Sequence, residues 1–282
     1  MQFGEINWEE LFANRSTDSV RFNKPKPGSA ESRELWDAKA PSFAHKPTRS
    51  DYIGQLQSRL NLQEGETVFD MGCGSGTLAV PLAQAGHKVV AVDFSPKMLE
   101  ELHSAAALYG VEERITAVER SWQQDLSDLP VCDVAVSSRS FVVDDMVDGL
   151  LKLEAHARRK VFLTCGAGDL PYRDRRIHEA MGRTGTQLLA PVELSCVLNW
   201  LLVNGRFPEL GYICFPGRWR RKSREELEQG IRESHTPANE QEERLLEAFL
   251  SEHAVQSEDG SWGMDYARED RWAVISWEPP QR

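Results

Sequence analysis

Residues 68–95 read VFDMGCGSGTLAVPLAQAGHKVVAVDFS, two apolar, β-branched runs around a turn that holds three glycines. A short apolar run, a glycine turn, helically spaced apolar residues and a second apolar run make a strand–turn–helix–strand unit. Glycines let the backbone approach a ligand without a Cβ clash, and the following helix start offers free N–H groups. The segment is therefore a ligand-binding turn at the end of a sheet strand.

The glycine spacing narrows the ligand. A dinucleotide loop has the form G-x-G-x-x-G, whereas this turn runs Gly72-Cys73-Gly74-Ser75-Gly76, with Asp70 two residues ahead of it. A carboxylate there repels a pyrophosphate and suits a cationic group, such as the amino acid part of S-adenosylmethionine. Asp93 closes the second strand, 17 residues after Gly76, where a carboxylate can accept hydrogen bonds from both ribose hydroxyls. A bare tight turn without ligand would not call for both acids.

Outward from this unit the alternation continues. SPKMLEELHSAAALYG opens on a Ser-Pro helix start and closes on a glycine stop. ITAVER, CDVAVSSRS and KVFLTCGAG are three more strands, with VDGLLKLEAHARR as a helix before the last of them. Near-continuous apolar strands alternating with helices indicate a parallel sheet covered on both faces. Beyond it, PVELSCVLNWLLVNG is a helix, LGYICFPG a sixth strand and RWAVISWEP a final strand. Two polar helices near 223–234 and 239–253 carry few large apolar residues, which predicts a lid or surface extension outside the sheet. Ahead of the sheet lie a short amphipathic pattern (Trp8, Leu11, Phe12), the linker-like RFNKPKPGSAES, a helix from Glu31 to Pro41, and SDYIGQLQSRL capped by Ser50 or Asp51.

Composition sets outer bounds. The 282 residues suffice for one large α/β domain with appendages, and the net charge of −11 disfavours nucleic acid and anionic lipid as partners. No apolar stretch approaches 18 residues and the first residues lack the order of a signal peptide, so a cytoplasmic location is expected. Five dispersed cysteines read as reduced core thiols, and the seven histidines as surface or capping residues. Neither set has metal-ligand spacing, so no metal is expected.

VFDMGCGSGTLA and VVAVDFSPKML resemble the first two motifs of the class I S-adenosylmethionine-dependent methyltransferases. The resemblance implies a doubly wound, mostly parallel seven-stranded α/β sheet of Rossmann-like type, in strand order 3-2-1-4-5-7-6. It implies S-adenosylmethionine as cofactor, S-adenosylhomocysteine as product, and methyl transfer as the reaction. Asp70, Gly72, Cys73, Gly74 and Gly76 would cradle the methionine part, Asp93 would hold the ribose, and Phe94 and Met98 would pack on adenine. Where the family has an acidic residue after strand three, this chain has ERSWQQ; Ser121 and Trp122 take that place, offering a backbone N–H and an indole. Ser138 at the end of strand four joins the set. LWDAKAPSF resembles the segment that folds aromatics over the cofactor, here Trp36 and Phe43, which read equally as core aromatics.

Residues 1–48 are thus expected as an arm over the cofactor site, and 49–282 as the methyltransferase domain, with an insertion at about 218–268. No catalytic base is identifiable, and methyl transfer to a good nucleophile needs little beyond placement. A [DN]-P-P-[FYW] loop is absent after strand four, which speaks against methylation of adenine or glutamine amides. A small-molecule acceptor is the leading expectation; RNA, a protein side chain and a non-catalytic cofactor-binding subunit are the alternatives. Three arginines are candidate acceptor contacts: Arg139 after strand four, Arg173 in PYRDRR and Arg218 in GRWRRKSR. The last two follow strands five and six, which should be parallel and so point toward the ligand crevice, where an anionic acceptor could pair with them. The other reading of both clusters is a solvated charged surface.

Overall fold

The alternation inside each apolar run decides which side of the sheet a residue joins. In the computed structural model, which describes residues 6–14, 25–44, 51–168, 174–183 and 192–281, Phe69, Met71, Ala135, Val161, Leu163 and Ile275 join one core, while Val68, Val134, Val136, Phe162 and Val274 join the other. Successive side chains of a strand point to opposite faces, so a strand apolar throughout needs cover on both.

The strands are β1 (Thr67–Met71), β2 (Lys88–Asp93), β3 (Ile115–Glu119), β4 (Cys132–Ser138), β5 (Ala157–Gly166), β6 (Glu209–Gly217), β7 (Ala254–Gln256), β8 (Trp262–Met264) and β9 (Arg268–Trp277). Seven of them form one sheet in the order β3-β2-β1-β4-β5-β9-β6. This is the expected order, with β9 as the seventh sheet strand. β1 to β5 pair in parallel, and β9 runs antiparallel between β5 and β6. The strand order reverses between β1 and β4, and ligands of open α/β sheets bind at that switch point, outside the strands' carboxyl ends.

One face is covered by α3 (Asp51–Leu60), α4 (Ala79–Gln84) and α5 (Pro96–Tyr109), which contribute Leu56, Leu60, Leu82 and Leu102. The other is covered by α1 (Trp8–Ala13), α6 (Met146–Ala155) and α8 (Val192–Val203), with Phe12, Leu150, Leu153 and Leu201. The limits of α5 follow from its ends: the Ser95 hydroxyl accepts from the Met98 N–H, Pro96 takes the first turn, and Gly110 closes the helix at φ +64°. Opposite, Glu154 is buried yet fully engaged, accepting from both Arg206 Nε (3.0 Å) and Nη2 (2.8 Å) and from Trp277 Nε1 (2.8 Å).

Three expectations are refined. The insertion lies outside the sheet, as a surface extension would, but has a core of its own: α9 (Arg224–Ser234), α10 (Glu240–His253) and the β7–β8 hairpin pack Leu227, Ile231, Leu246 and Leu250 with Trp219 and with Ile177 and Met181 around α7 (Arg175–Ala180). Few apolar residues suffice because they share a small core of their own. Among the histidines, His156 and His235 are helix C-caps as the capping reading expects, though buried, His156 stacked on Phe69 at 4.3 Å, while His87 and His178 are buried without being caps. Finally, the arm divides. α1 lies under the sheet, where Phe12 meets Phe141 edge-on, while α2 (Ala30–Lys39) and the 3-10 turn Ala40–Phe43 lie on α5.

Candidate functional site

The turn after β1 is held from three sides. The N–H groups of Gly72 and Cys73 both donate to the Val92 carbonyl on β2, at 2.7 and 3.0 Å. Ser140, beyond β4, donates through its hydroxyl to the Met71 carbonyl at 2.8 Å, and its side chain occupies the space a Cβ on Gly72 would need. Asp93 then locks the turn: its Oδ2 accepts from the Gly74 N–H at 2.9 Å and its Oδ1 from the Ser95 N–H at 3.0 Å. Gly72, Gly74 and Gly76 have φ of +78°, +54° and +81°, a left-handed run that only glycine adopts freely.

Over the turn lies a cavity of about 320 Å³, within the range of roughly 300–1,000 Å³ usual for ligand pockets. Among the described residues its walls include Asp70, Gly72, Cys73, Gly74, Asp93, Phe94, Met98, Ser121, Trp122, Ser138 and Arg139, with Trp36 and Phe43 from the N-terminal segment. That segment is fixed there by polar contacts. The Ser75 hydroxyl donates to the Phe43 carbonyl at 2.7 Å, Ser95 donates to the Asp37 carboxylate, and Arg33 pairs with Glu119.

Gly76 is the one member of the turn that does not reach the cavity. A Cβ on it would run into Leu102 and Val80, so this glycine serves the packing of α5 against the turn. Ser121 and Trp122 do line the cavity, but the donors expected of them are taken. The Ser121 N–H goes to Gln124 Oε1 at 2.7 Å and the indole N–H to the Ser140 carbonyl at 3.0 Å. An indole N–H this deeply buried needs an internal partner. Trp122 therefore offers its ring.

Of the two candidate arginines among the described residues, Arg139 is at the cavity and Arg218 is not. Arg218 is exposed and lines no part of it; β6 leads from the sheet into the insertion, whose acids take the neighbouring cations, Asp259 with Arg220 and Glu228 with Arg224. Arg173 lies outside the described residues, and Arg176 of the same stretch is spread over Tyr266 and bonded to the Ala267 carbonyl. No described residue of the insertion lines the cavity, against the lid expectation. Sequence reasoning missed Ser75, Ser140 and Val142; Ser75 and Ser140 sit inside motifs already singled out, whereas Val142 is marked only by its exposure, 37% for an apolar residue.

Asp70 defines the chemistry. It is 1% exposed, and its Oδ2 has no hydrogen-bond partner. Burial, and secondarily the Asp93 charge, push its carboxyl up to about 7. The same burial raises Asp93, opposed by the backbone N–H groups it accepts, and raises the Cys73 thiol, which makes it inert rather than nucleophilic. An orphaned buried carboxylate beside a cavity calls for a cationic or donor ligand. Gly74 gives the same answer sterically, since the space beside it is open to 4.0 Å at Met98 Sδ, room for a ligand against bare backbone. These features fit S-adenosylmethionine, whose ammonium would satisfy Asp70. Among the described residues no three His, Cys, Asp or Glu side chains converge as metal ligands would.

Comparison with known proteins agrees. Residues 68–160 match the family model described as a methyltransferase domain. An uncharacterized protein of Haemophilus influenzae is 34% identical over 98% of both chains. The ubiquinone biosynthesis O-methyltransferase of Xanthomonas oryzae pv. oryzae is 34% identical over 96 residues, 32% of this chain and 38% of that protein. The crystal structure of an S-adenosylmethionine-dependent methyltransferase from Thiobacillus denitrificans, solved with S-adenosyl-L-homocysteine, superposes with a TM-score of 0.50 at 16% identity, covering 87% of this chain and 97% of that one. With the sheet order, the acid-led glycine turn and the orphaned Asp70 in place, the chain belongs to the class I S-adenosylmethionine-dependent methyltransferases.

Proposed function

We propose that this methyltransferase acts on a small-molecule, anionic acceptor. The observation that carries the reading is the N-terminal segment lying across one side of the crevice. Phe43 and Asp37 are bonded to Ser75 and Ser95 at the two sides of the turn, leaving about 320 Å³ behind them. A folded protein or an RNA duplex cannot follow the cofactor into such a space; a metabolite-sized body can. Anionic character is supported by Arg139, which makes no ion pair among the described residues.

In this reading Asp70 takes the cofactor's ammonium, the backbone of Gly72, Cys73 and Gly74 carries its methionine part, and Asp93 accepts from the ribose. Phe94, Met98 and the Trp122 ring enclose the adenine, Ser121 sits at its edge, and Trp36 and Ser138 close the remaining walls. When bound, S-adenosylmethionine would supply a sulfonium methyl to the acceptor's lone pair, the S–CH₃ electrons staying on sulfur, and an acceptor proton would leave to bulk solvent with the methylated product. The protein's share is to hold the acceptor in line and keep the site dry, which for well-oriented partners lowers the barrier by roughly 7–11 kcal/mol. The Xanthomonas relative is named for O-methylation, but the match covers 38% of its length, so its acceptor is not carried over.

The test is transfer of labelled methyl from S-adenosylmethionine into a cell extract split into metabolite, protein and RNA fractions. Label in the metabolite fraction supports the proposal. Label confined to protein or RNA replaces it with a macromolecular acceptor, and binding without transfer replaces it with a non-catalytic subunit. Among the described residues no helix is long and apolar enough to cross a membrane.

A further inference from the structure

Arg139 is an unusual residue in an unusual place. It follows β4 immediately, at the switch point of the sheet, with φ +60°, a left-handed conformation that non-glycine residues rarely take. Its N–H donates to Thr164 Oγ1 at 2.8 Å. Its guanidinium lies 4.2 Å from the Tyr52 ring centroid and 5.8 Å from that of Trp272. Tyr52 is itself immobilised, its hydroxyl bonded to Ser138 Oγ at 2.9 Å and Thr164 Oγ1 at 2.8 Å, and its ring edge-on to Trp272 and Phe215. Backbone and head group of Arg139 are thus fixed by the same tyrosine–threonine pair.

The direction of that clamp matters. The acids suited to the cofactor, Asp70 and Asp93, are on β1 and β2, on one side of the switch point. The guanidinium leans the other way, toward Trp272 on β9, which lies beyond β4 and β5. At about 4.8 Å per strand, β9 is some three spacings from β1. The head group is thus held on the side of the switch point away from β1 and β2, while the residue itself belongs to the cavity wall.

From this placement, and resting on the methyltransferase reading above, we infer that Arg139 selects the acceptor. The site takes a small aromatic or apolar carboxylic acid whose carboxylate pairs with the edge of the guanidinium, while Tyr52 and Trp272 hold its face. A guanidinium held over aromatic rings and carrying no ion pair among the described residues has N–H donors for a planar carboxylate. A phosphate dianion would call for a second cation. The other cationic residue among the described walls, Arg120, is turned to Asp128 at 3.7 Å and to its neighbour's carbonyl. The rest of the acceptor meets Phe43, 45% exposed, and Val142, 37% exposed, both on the cavity wall, which suits an apolar or aromatic body.

The experiment uses the full chain saturated with S-adenosylhomocysteine and reads ligand binding by saturation-transfer NMR. The probes are benzoate, 4-hydroxybenzoate and indole-3-acetate, each beside its primary amide, with phenyl phosphate as the dianion. Acids should bind more tightly than their amides by roughly 10-fold or more, the value of a charge-assisted bidentate pair. R139Q should abolish the difference, and R139K should recover only part of it. Equal binding of acids and amides, no binding of any acid, or tighter binding of phenyl phosphate than of the acids overturns the inference. R139Q that weakens S-adenosylhomocysteine about 10-fold also overturns it, assigning Arg139 to the cofactor's carboxylate. If the wild-type protein does not bind S-adenosylhomocysteine at all, the family reading fails first, and that is seen before any acid is added.

Discussion

Asp93 Oδ2 accepts the Gly74 N–H at 2.9 Å, so the carboxylate that ends β2 holds the turn that ends β1. One side chain thereby shapes the turn and also stands on the cavity wall, where the proposed reading has it meet the ribose. Asp93→Ala should weaken S-adenosylmethionine by the loss of charge-assisted hydrogen bonds, roughly 1.5–3 kcal/mol or about 10- to 150-fold. Calorimetry giving the same affinity for mutant and parent would remove Asp93 from the site.

Cofactor affinity should depend on pH through Asp70. Its carboxyl titrates at about 7 in the ligand-free protein, and only the carboxylate pairs with an ammonium. Binding therefore releases a proton, and affinity should fall as pH drops below about 7. Stability runs the opposite way: the folded value lies above the unfolded one of about 3.9, so the folded chain binds more protons and loses stability as pH rises from about 4 to 7. Asp70→Asn should raise the melting temperature of the ligand-free protein at neutral pH while lowering cofactor affinity and flattening its pH profile. A parallel drop in both quantities would contradict the assignment.

Two glycines of one turn should respond differently to a methyl group. Gly76→Ala meets Leu102 and Val80 at φ +81°, and should cost roughly 2–4 kcal/mol of stability from strain and overpacking. Gly74→Ala meets nothing nearer than Met98 Sδ at 4.0 Å, so its stability cost is confined to the left-handed strain, about 1 kcal/mol, while cofactor binding drops by an order of magnitude or more. Urea titration and calorimetry on both variants separate the effects; identical profiles would erase the distinction.

The Glu154 carboxylate, with Arg206 and Trp277 as its donors, ties α6 to the end of β9 and to the loop before β6. Glu154→Ala leaves those donors unpaired and should cost about 3 kcal/mol, with cofactor affinity unchanged because the cluster is not on the cavity wall. A loss below about 1 kcal/mol would place the pair among ordinary surface ion pairs.

Local chemistry wrote much of this molecule into its sequence. The strand runs, the Ser95-Pro96 start, the Gly110 stop and the acid-led glycine turn each depend on neighbours within a few residues, so the elements and the turn could be read without a structure, while the strand order followed from the family resemblance. Tertiary structure decided what depends on distant partners. Gly76 became a packing residue because α5 brings Leu102 onto it, and the Trp122 N–H was spent on Ser140, 18 positions away. His156 was buried against Phe69, and Arg220 and Arg224 of the basic stretch at 218–224 were paired with the insertion's own Asp259 and Glu228. The value near 7 for Asp70 exists only once folding removes water from it and brings Asp93 beside it. Arg139 looked like one arginine among several until Tyr52, 87 positions earlier, and Trp272, 133 later, closed on it. Periodicity encodes which face a residue joins; only chain closure over such separations sets which groups meet, and with them burial, charge state and the direction a side chain can reach.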